Sequence, residues 1–177
     1  MSNGIYWVKG PWTGRLAITA RPRGGDWLAD NLRDWRQEGV AAVVSLLTSD
    51  EEREFKLEAE GREATVQGMK FLSVPVRDRQ VPESEAELQF ALQEAGAALG
   101  SGKNVLVHCR QGIGRSGLFA ACLLVDQGWS PEAATKQLSS VRGTSVPETA
   151  EQQQWIDNYA SRSHAAHSYA GSKRKAV

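Results

Sequence analysis

Short apolar runs alternate with longer amphipathic stretches from one end of this sequence to the other. Residues 5–8 and 16–19 are apolar segments parted by Gly10-Pro11 and Gly14, and they predict an opening pair of strands. After Arg21-Pro22-Arg23-Gly24-Gly25, the residues Trp27, Leu28, Leu32 and Trp35 recur at helical spacing. Asp26 reads as the N-cap of that helix and Gly39 as its stop. The valine-rich run 40–47 has no polar alternation, which suits a strand covered on both faces.

Thr48 or Ser49 then opens a charged helix expected to reach about Glu60, with Glu51 or Glu52 placed to complete a capping box. Residues 70–76 predict a further buried strand, 77–82 an exposed turn, and Ser84 the cap of a helix running to Leu99. A short strand over 105–108 leads into a glycine-rich loop. The helix expected over 115–127 is apolar all round and so belongs near the middle of the domain. Two more helices are expected over 131–141 and 149–159. The polar stretch 161–177, ending in Lys173-Arg174-Lys175, reads as a flexible tail behind a single domain spanning 1–160. The alternation predicts an α/β fold, with a central, mostly parallel sheet and helices on both faces. In such sheets, reactive loops sit at the C-terminal ends of strands.

Charge narrows the possible partners. Lys plus Arg (21) equals Asp plus Glu (21), so no bulk charge draws the chain to nucleic acid or to an anionic membrane. Only two cysteines occur, Cys109 and Cys122, too few for a disulfide framework, and this favours a reducing, cytoplasmic setting. The N-terminus lacks a signal-peptide pattern, and the longest apolar run, 118–125, is too short to span a bilayer. The three histidines stand apart at 108, 164 and 167, so neither a metal site nor a cofactor is expected.

The chemistry concentrates in His108-Cys109-Arg110-Gln111-Gly112-Ile113-Gly114-Arg115-Ser116-Gly117. A cysteine six residues ahead of an arginine is a weak signal alone. Here a buried strand precedes it, glycines lie between, a serine follows and an apolar helix starts. Gly112 and Gly114 let successive N–H groups converge as an anion nest, and the helix start adds unpaired donors. Arg115 supplies a planar fork able to hold two phosphoryl oxygens. Residues Arg110, Gln111, Gly112, Ile113, Gly114 and Arg115 therefore form the expected phosphate cradle. The same surroundings favour an anionic Cys109 sulfur as nucleophile, with Ser116 as its hydrogen-bond donor. The bland alternative is a buried cysteine in a tight turn, but such a turn has no use for the arginine. Cys122, among alanines and leucines, reads as core. His108 should point to the sheet face opposite Cys109 and act structurally.

This stretch resembles the signature loop of the cysteine-dependent protein-tyrosine phosphatase superfamily. Pro75-Val76-Arg77-Asp78-Arg79-Gln80-Val81-Pro82 is similar to the general-acid loop of its dual-specificity branch, especially the kinase-associated phosphatases. Residues 142–152 resemble the branch's final loop and helix. The resemblance implies a three-layer dual-specificity-phosphatase fold, Asp78 as general acid, and Gln152 as the residue placing the hydrolytic water. It also implies a phosphorylated protein or peptide substrate; it leaves oligomeric state open. No tyrosine-binding loop is present, and the loop lacks the extra lysines of phosphoinositide phosphatases. A phosphoinositide, an RNA 5′-phosphate or a small phosphoester is the rival substrate, and a non-catalytic phosphate-binding module the rival function. Arg77 and Arg79 flank Asp78 and would favour its carboxylate over the acid, with Glu83 or Glu85 as the other candidate donors. Gln152, Gln153 and Gln154 are consecutive, so the register stays open.

Overall fold

The computed structural model describes residues 4–173. Five strands, β1 (Tyr6–Val8), β2 (Leu16–Ala20), β3 (Val40–Ser45), β4 (Lys70–Ser73) and β5 (Asn104–Cys109), form one sheet in the order β1-β2-β5-β3-β4. Only β1 runs antiparallel to its neighbour, with Tyr6 opposite Ile18. β5 is central, parallel to β2 on one side and to β3 on the other. That position explains its sequence: Val105, Leu106 and Val107 are fully buried because both faces are covered.

The pleat divides β5 between two cores. Val105, Val107 and Cys109 face a cluster containing Ile18, Val44 and the helices α4 (Glu85–Gly100), α5 (Arg115–Asp126), α6 (Pro131–Arg142) and α7 (Ala150–Lys173). Leu106 faces a second cluster with Ala17, Val43 and Trp35, under α1 (Leu28–Gln37) and α3 (Glu60–Val66). The expected three layers are therefore present. Every residue of α5 from Arg115 to Val125 is buried, as the unbroken apolar run 117–125 requires of all but the polar pair Arg115 and Ser116.

Four expectations need correcting. The strand expected over 70–76 ends at Ser73 and lies at the sheet edge, with Lys70 and Ser73 exposed and Phe71 and Leu72 only partly buried. Asp26 caps nothing: it lies in a 3-10 turn over Gly25–Trp27, and α1 starts behind Trp27 without a side-chain cap. The charged stretch after Thr48 is two helices, α2 (Ser49–Glu54) and α3, rather than one reaching Glu60. The break arises because Leu57 must turn into the core, and the Lys56 carbonyl leaves the helix to accept the Gly25 N–H at 2.9 Å. A Cβ on Gly24 would lie 1.8 Å from the Phe55 carbonyl oxygen, so the two segments meet backbone to backbone. Finally, α7 does not stop at Tyr159 but continues to Lys173, into the stretch read as a tail. Ile156, Tyr159 and Ala160 are buried, and the Tyr159 hydroxyl donates to Asp126 at 2.8 Å. Arg174 and Lys175 lie outside the described residues.

Among the described residues no helix is long and apolar enough to cross a membrane, and no group of three His, Cys, Asp or Glu could hold a metal ion.

Phe119, fully buried in α5, should be a sensitive point of this core. Phe119→Ala is expected to cost about 3–5 kcal/mol, measured by urea unfolding with the m-value unchanged.

Candidate active site

β5 delivers Cys109 to the C-terminal edge of the sheet, opposite Ala20 of β2. Its sulfur is buried, 3.3 Å from the Ser116 hydroxyl and 3.3 Å from the Gly112 N–H. Gly112 adopts φ +70, and a Cβ there would sit 2.4 Å from the Thr19 carbonyl carbon and oxygen. Only glycine fits. Arg142, at the end of α6, holds the loop from outside. Its Nε donates to the Gly112 carbonyl at 2.8 Å and its Nη2 to the Gln111 carbonyl at 3.1 Å. In a trans peptide, C=O and N–H point opposite ways. Tying the Gln111 oxygen outward thus turns the Gly112 N–H inward to the sulfur.

Arg115 is the most heavily engaged side chain in the site and is 2% exposed. Nη1 donates to Glu51 Oε2 (2.7 Å), the Val76 carbonyl (2.7 Å) and the Leu46 carbonyl (3.3 Å). Nη2 donates to Glu51 Oε1 (2.8 Å) and Asp78 Oδ1 (2.9 Å). Burial alone would lower its pKa, but the Glu51 bond and the neighbouring Cys109 and Asp78 raise it above the ordinary value. Glu51 mirrors this. Burial pushes its carboxyl up, yet the bonds from Arg115 and Thr48 hold it below the ordinary value. The Thr48 N–H donates to Glu51 Oε2 at 3.0 Å, and the Thr48 hydroxyl accepts from the Glu51 N–H at 3.4 Å. The capping box is therefore Thr48 with Glu51, and the same carboxylate clamps the arginine.

Asp78 follows the extended segment after β4, with its side chain 45% exposed. Its flanking arginines turn elsewhere: Arg77 pairs with Glu83 at 3.0 Å and Arg79 with Glu148 at 2.9 Å. The cation beside Asp78 is Arg115, which the sequence did not suggest. Glu83 is thus occupied, and Glu85 pairs with Arg162 at 3.0 Å. Gln152 is the buried member of its triplet, whereas Gln153 and Gln154 bond Asp157 and Asn158 along their own helix. Gln152 Oε1 accepts from the Glu148 and Thr149 N–H groups, and Nε2 donates to the Gln80 carbonyl at 3.1 Å. It braces the Asp78 segment and lies against the loop, since a Cβ on Gly114 would come within 3.0 Å of its oxygen.

The structure thus gathers Cys109, Arg115, Ser116, Asp78 and Gln152 around one loop. Arg110 sits at the rim with its guanidinium over Phe55, 5.1 Å from the ring centre, and Ile113 packs on the core. Cys122 is fully buried, and burial, reinforced by Asp126, pushes its thiol well up, as befits a packing residue. His108 does face away from Cys109. Its Nε2 lies 2.8 Å from a Glu60 oxygen, outside the angular range of a good hydrogen bond, with both groups buried. Glu51, Glu60 and Arg142 were missed as site residues. Glu51 alone carried a signal, its capping-box position.

A strand, a glycine-bearing loop and a helix start that surround a buried cysteine and arginine define the phosphate loop of the cysteine-phosphatase class. The chain belongs to the family described as "polymorphic toxin system, DSP-PTPase phosphatase", which matches residues 18–129. It is 34% identical over 70 residues to cyclin-dependent kinase inhibitor 3 of Rattus norvegicus, covering 38% of this chain and 33% of that protein. It is 38% identical over 71 residues to dual specificity protein phosphatase TpbA of Pseudomonas aeruginosa, covering 40% of this chain and 31% of that protein. The matches thus span about a third of the length of these relatives. Among solved structures, a kinase associated phosphatase bearing serine in place of its catalytic site cysteine superposes with a TM-score of 0.83 at 22% identity. That match covers 91% of this chain and 96% of the other, and it shows the shared fold.

Because Glu51 is held below its ordinary carboxylate value, its contribution to stability is complete above that value and is lost as pH falls through the lowered one. Wild type should therefore lose stability toward acid along a limb that Glu51→Gln lacks, read as unfolding midpoints from pH 7 down to 3. Parallel curves would contradict the clamp.

Proposed function

We propose that this chain is a phosphomonoester hydrolase that removes phosphate from phosphotyrosine, and also from phosphoserine or phosphothreonine, in proteins. One observation carries the reading: the Cys109 sulfur lies at the floor of a loop whose Arg115 is locked in place by Glu51 and touches Asp78. Binding alone needs neither a nucleophile nor an acid there. Family membership supports it.

In the proposed reaction, the Cys109 thiolate attacks phosphorus, while Arg115 and the N–H groups of residues 110–115 hold the equatorial oxygens. Asp78 protonates the leaving oxygen as the P–O bond breaks, giving a cysteinyl-phosphate. Asp78, now a carboxylate, takes a proton from a water that attacks phosphorus, and the sulfur departs with help from the Ser116 hydroxyl. Asp78 and an incoming phosphoryl oxygen compete for Arg115 Nη2. Substrate binding thus releases the carboxyl toward the leaving group. The water-placing role of Gln152 belongs to this proposal, supported by its burial against Gly114. So does the assignment of the catalytic unit to residues 1–160, Ala160 being the last buried residue whose side chain is described. Both cysteines are free, which agrees with action in the cytoplasm.

Cys109→Ser should abolish turnover of an aryl phosphate while leaving thermal unfolding unchanged; retained activity would refute the nucleophile. Asp78→Asn should lose about 10²–10⁴ in kcat, most with poor leaving groups. A loss independent of the leaving group would point to another acid. Arg115→Lys should lose most activity as well, because a point charge cannot replace the fork; near-wild-type kcat/KM would contradict the assignment.

A further inference from the structure

Of the cavities that the proposed reaction leaves unused, one adjoins the catalytic loop. A concavity of about 230 Å³ opens beside the catalytic loop, where the end of β2 meets α1. Tyr6, Thr19, Arg21, Asn31, Trp35 and Arg142 build most of its wall, and among the described residues no carboxylate does. The Arg21 guanidinium lies over the Phe55 ring at 3.9 Å, and that of Arg142 over Tyr6 at 4.0 Å. Stacking covers the faces of the two guanidinium groups but leaves their edges free to donate. Arg21 gives Nη1 to the Pro22 carbonyl at 3.1 Å, and Arg142 gives Nε and Nη2 to the loop. Among the described residues, no other acceptor and no carboxylate partner is found for either arginine. Asn31 spends its oxygen on the Arg23 N–H at 2.8 Å, so its amide offers donors as well. A concave wall rich in donors and without an anion of its own suits a negatively charged group.

Its position ties it to substrate. Ala20 pairs with Cys109 across the sheet, and the next residue's N–H reaches the Arg110 carbonyl at 3.5 Å. The cavity, which Ala20, Arg21 and Arg142 line, therefore borders the loop, behind the Gln111–Gly112 backbone that Arg142 holds.

We propose that this cavity is a second anion subsite that takes an acidic or phosphorylated side chain flanking the residue being dephosphorylated in a peptide. The proposal rests on the reading of the Cys109 loop as a phosphatase site. An extended peptide fits better than an inositol phosphate, because its successive side chains can reach to either side of an intervening backbone wall. Two phosphates on one ring would both have to enter the bowl over Cys109.

The test compares wild type with Arg21→Gln and Asn31→Ala on four substrates. These are para-nitrophenyl phosphate, a phosphotyrosine peptide flanked by glutamates, the same peptide flanked by alanines, and a short-chain phosphatidylinositol bisphosphate. Both variants should keep wild-type kinetics on the aryl phosphate and the alanine peptide. On the glutamate peptide, KM should rise about tenfold with kcat retained, as expected for a lost charge-assisted hydrogen bond. Unchanged KM on the glutamate peptide, or equal losses on both peptides, overturns the subsite. A loss confined to the lipid also overturns it and gives the cavity to an inositol phosphate. Aryl phosphate turnover by wild type, absent in Cys109→Ser, separates these failures from failure of the phosphatase reading itself. Should Arg21→Gln not fold, Asn31→Ala decides the outcome alone.

Discussion

A guanidinium taken out of water is costly unless its charge and its N–H groups are all answered, and in this protein the answer to Arg115 organises the site. Glu51 meets it with both carboxylate oxygens, and the carbonyls of Leu46 and Val76 take further bonds. These partners come from three separate segments: the start of α2, the end of the β3 strand and the extended chain after β4. Holding one side chain therefore fixes the relative positions of the segments that carry the capping box, the sheet edge and Asp78. Glu51 is suited to this because Thr48 has already set its direction. Local helix capping thereby becomes long-range alignment.

The second constraint works on backbone rather than charge. Gly112 touches the backbone of Thr19 and Ala20, and Arg142 pulls two loop carbonyls outward. The loop is held from behind by contacts that need no substrate, so its N–H groups are aimed before anything binds. Pre-aimed donors act most strongly on charge that develops during reaction, because they need not reorganise.

Much of this was legible in the sequence, for a physical reason. The strand, glycines, cysteine and arginine of the 108–117 loop are contiguous, and contiguous patterns report local structure. Burial of β5 and α5 follows from unbroken apolar runs. The nearness of Asp78 to the 108–117 loop could be read from its neighbours, although its cationic partner, Arg115, lies 37 positions away. The Arg115–Glu51 pair spans 64 positions and the Arg142–Gly112 contact 30, and no spacing rule connects them. Glu51 looked like one acid among several on an exposed helix, and Arg142 like an ordinary basic helix end. The break between α2 and α3 depends on where Leu57 finds room, which only the assembled core decides.

The segment bearing Asp78 is fastened to the start of α7 by the Gln152–Gln80 bond and, at the surface, by Arg79 with Glu148. The exposed pair contributes little; the buried amide sets the position. A segment held in this way gives up little configurational freedom when a ligand arrives, so the proposed reaction need not wait for a lid to swing shut. Under the proposed reaction, discrimination then depends on how well each ligand fits a standing contour, and one that requires Asp78 to travel far is disfavoured from the first encounter.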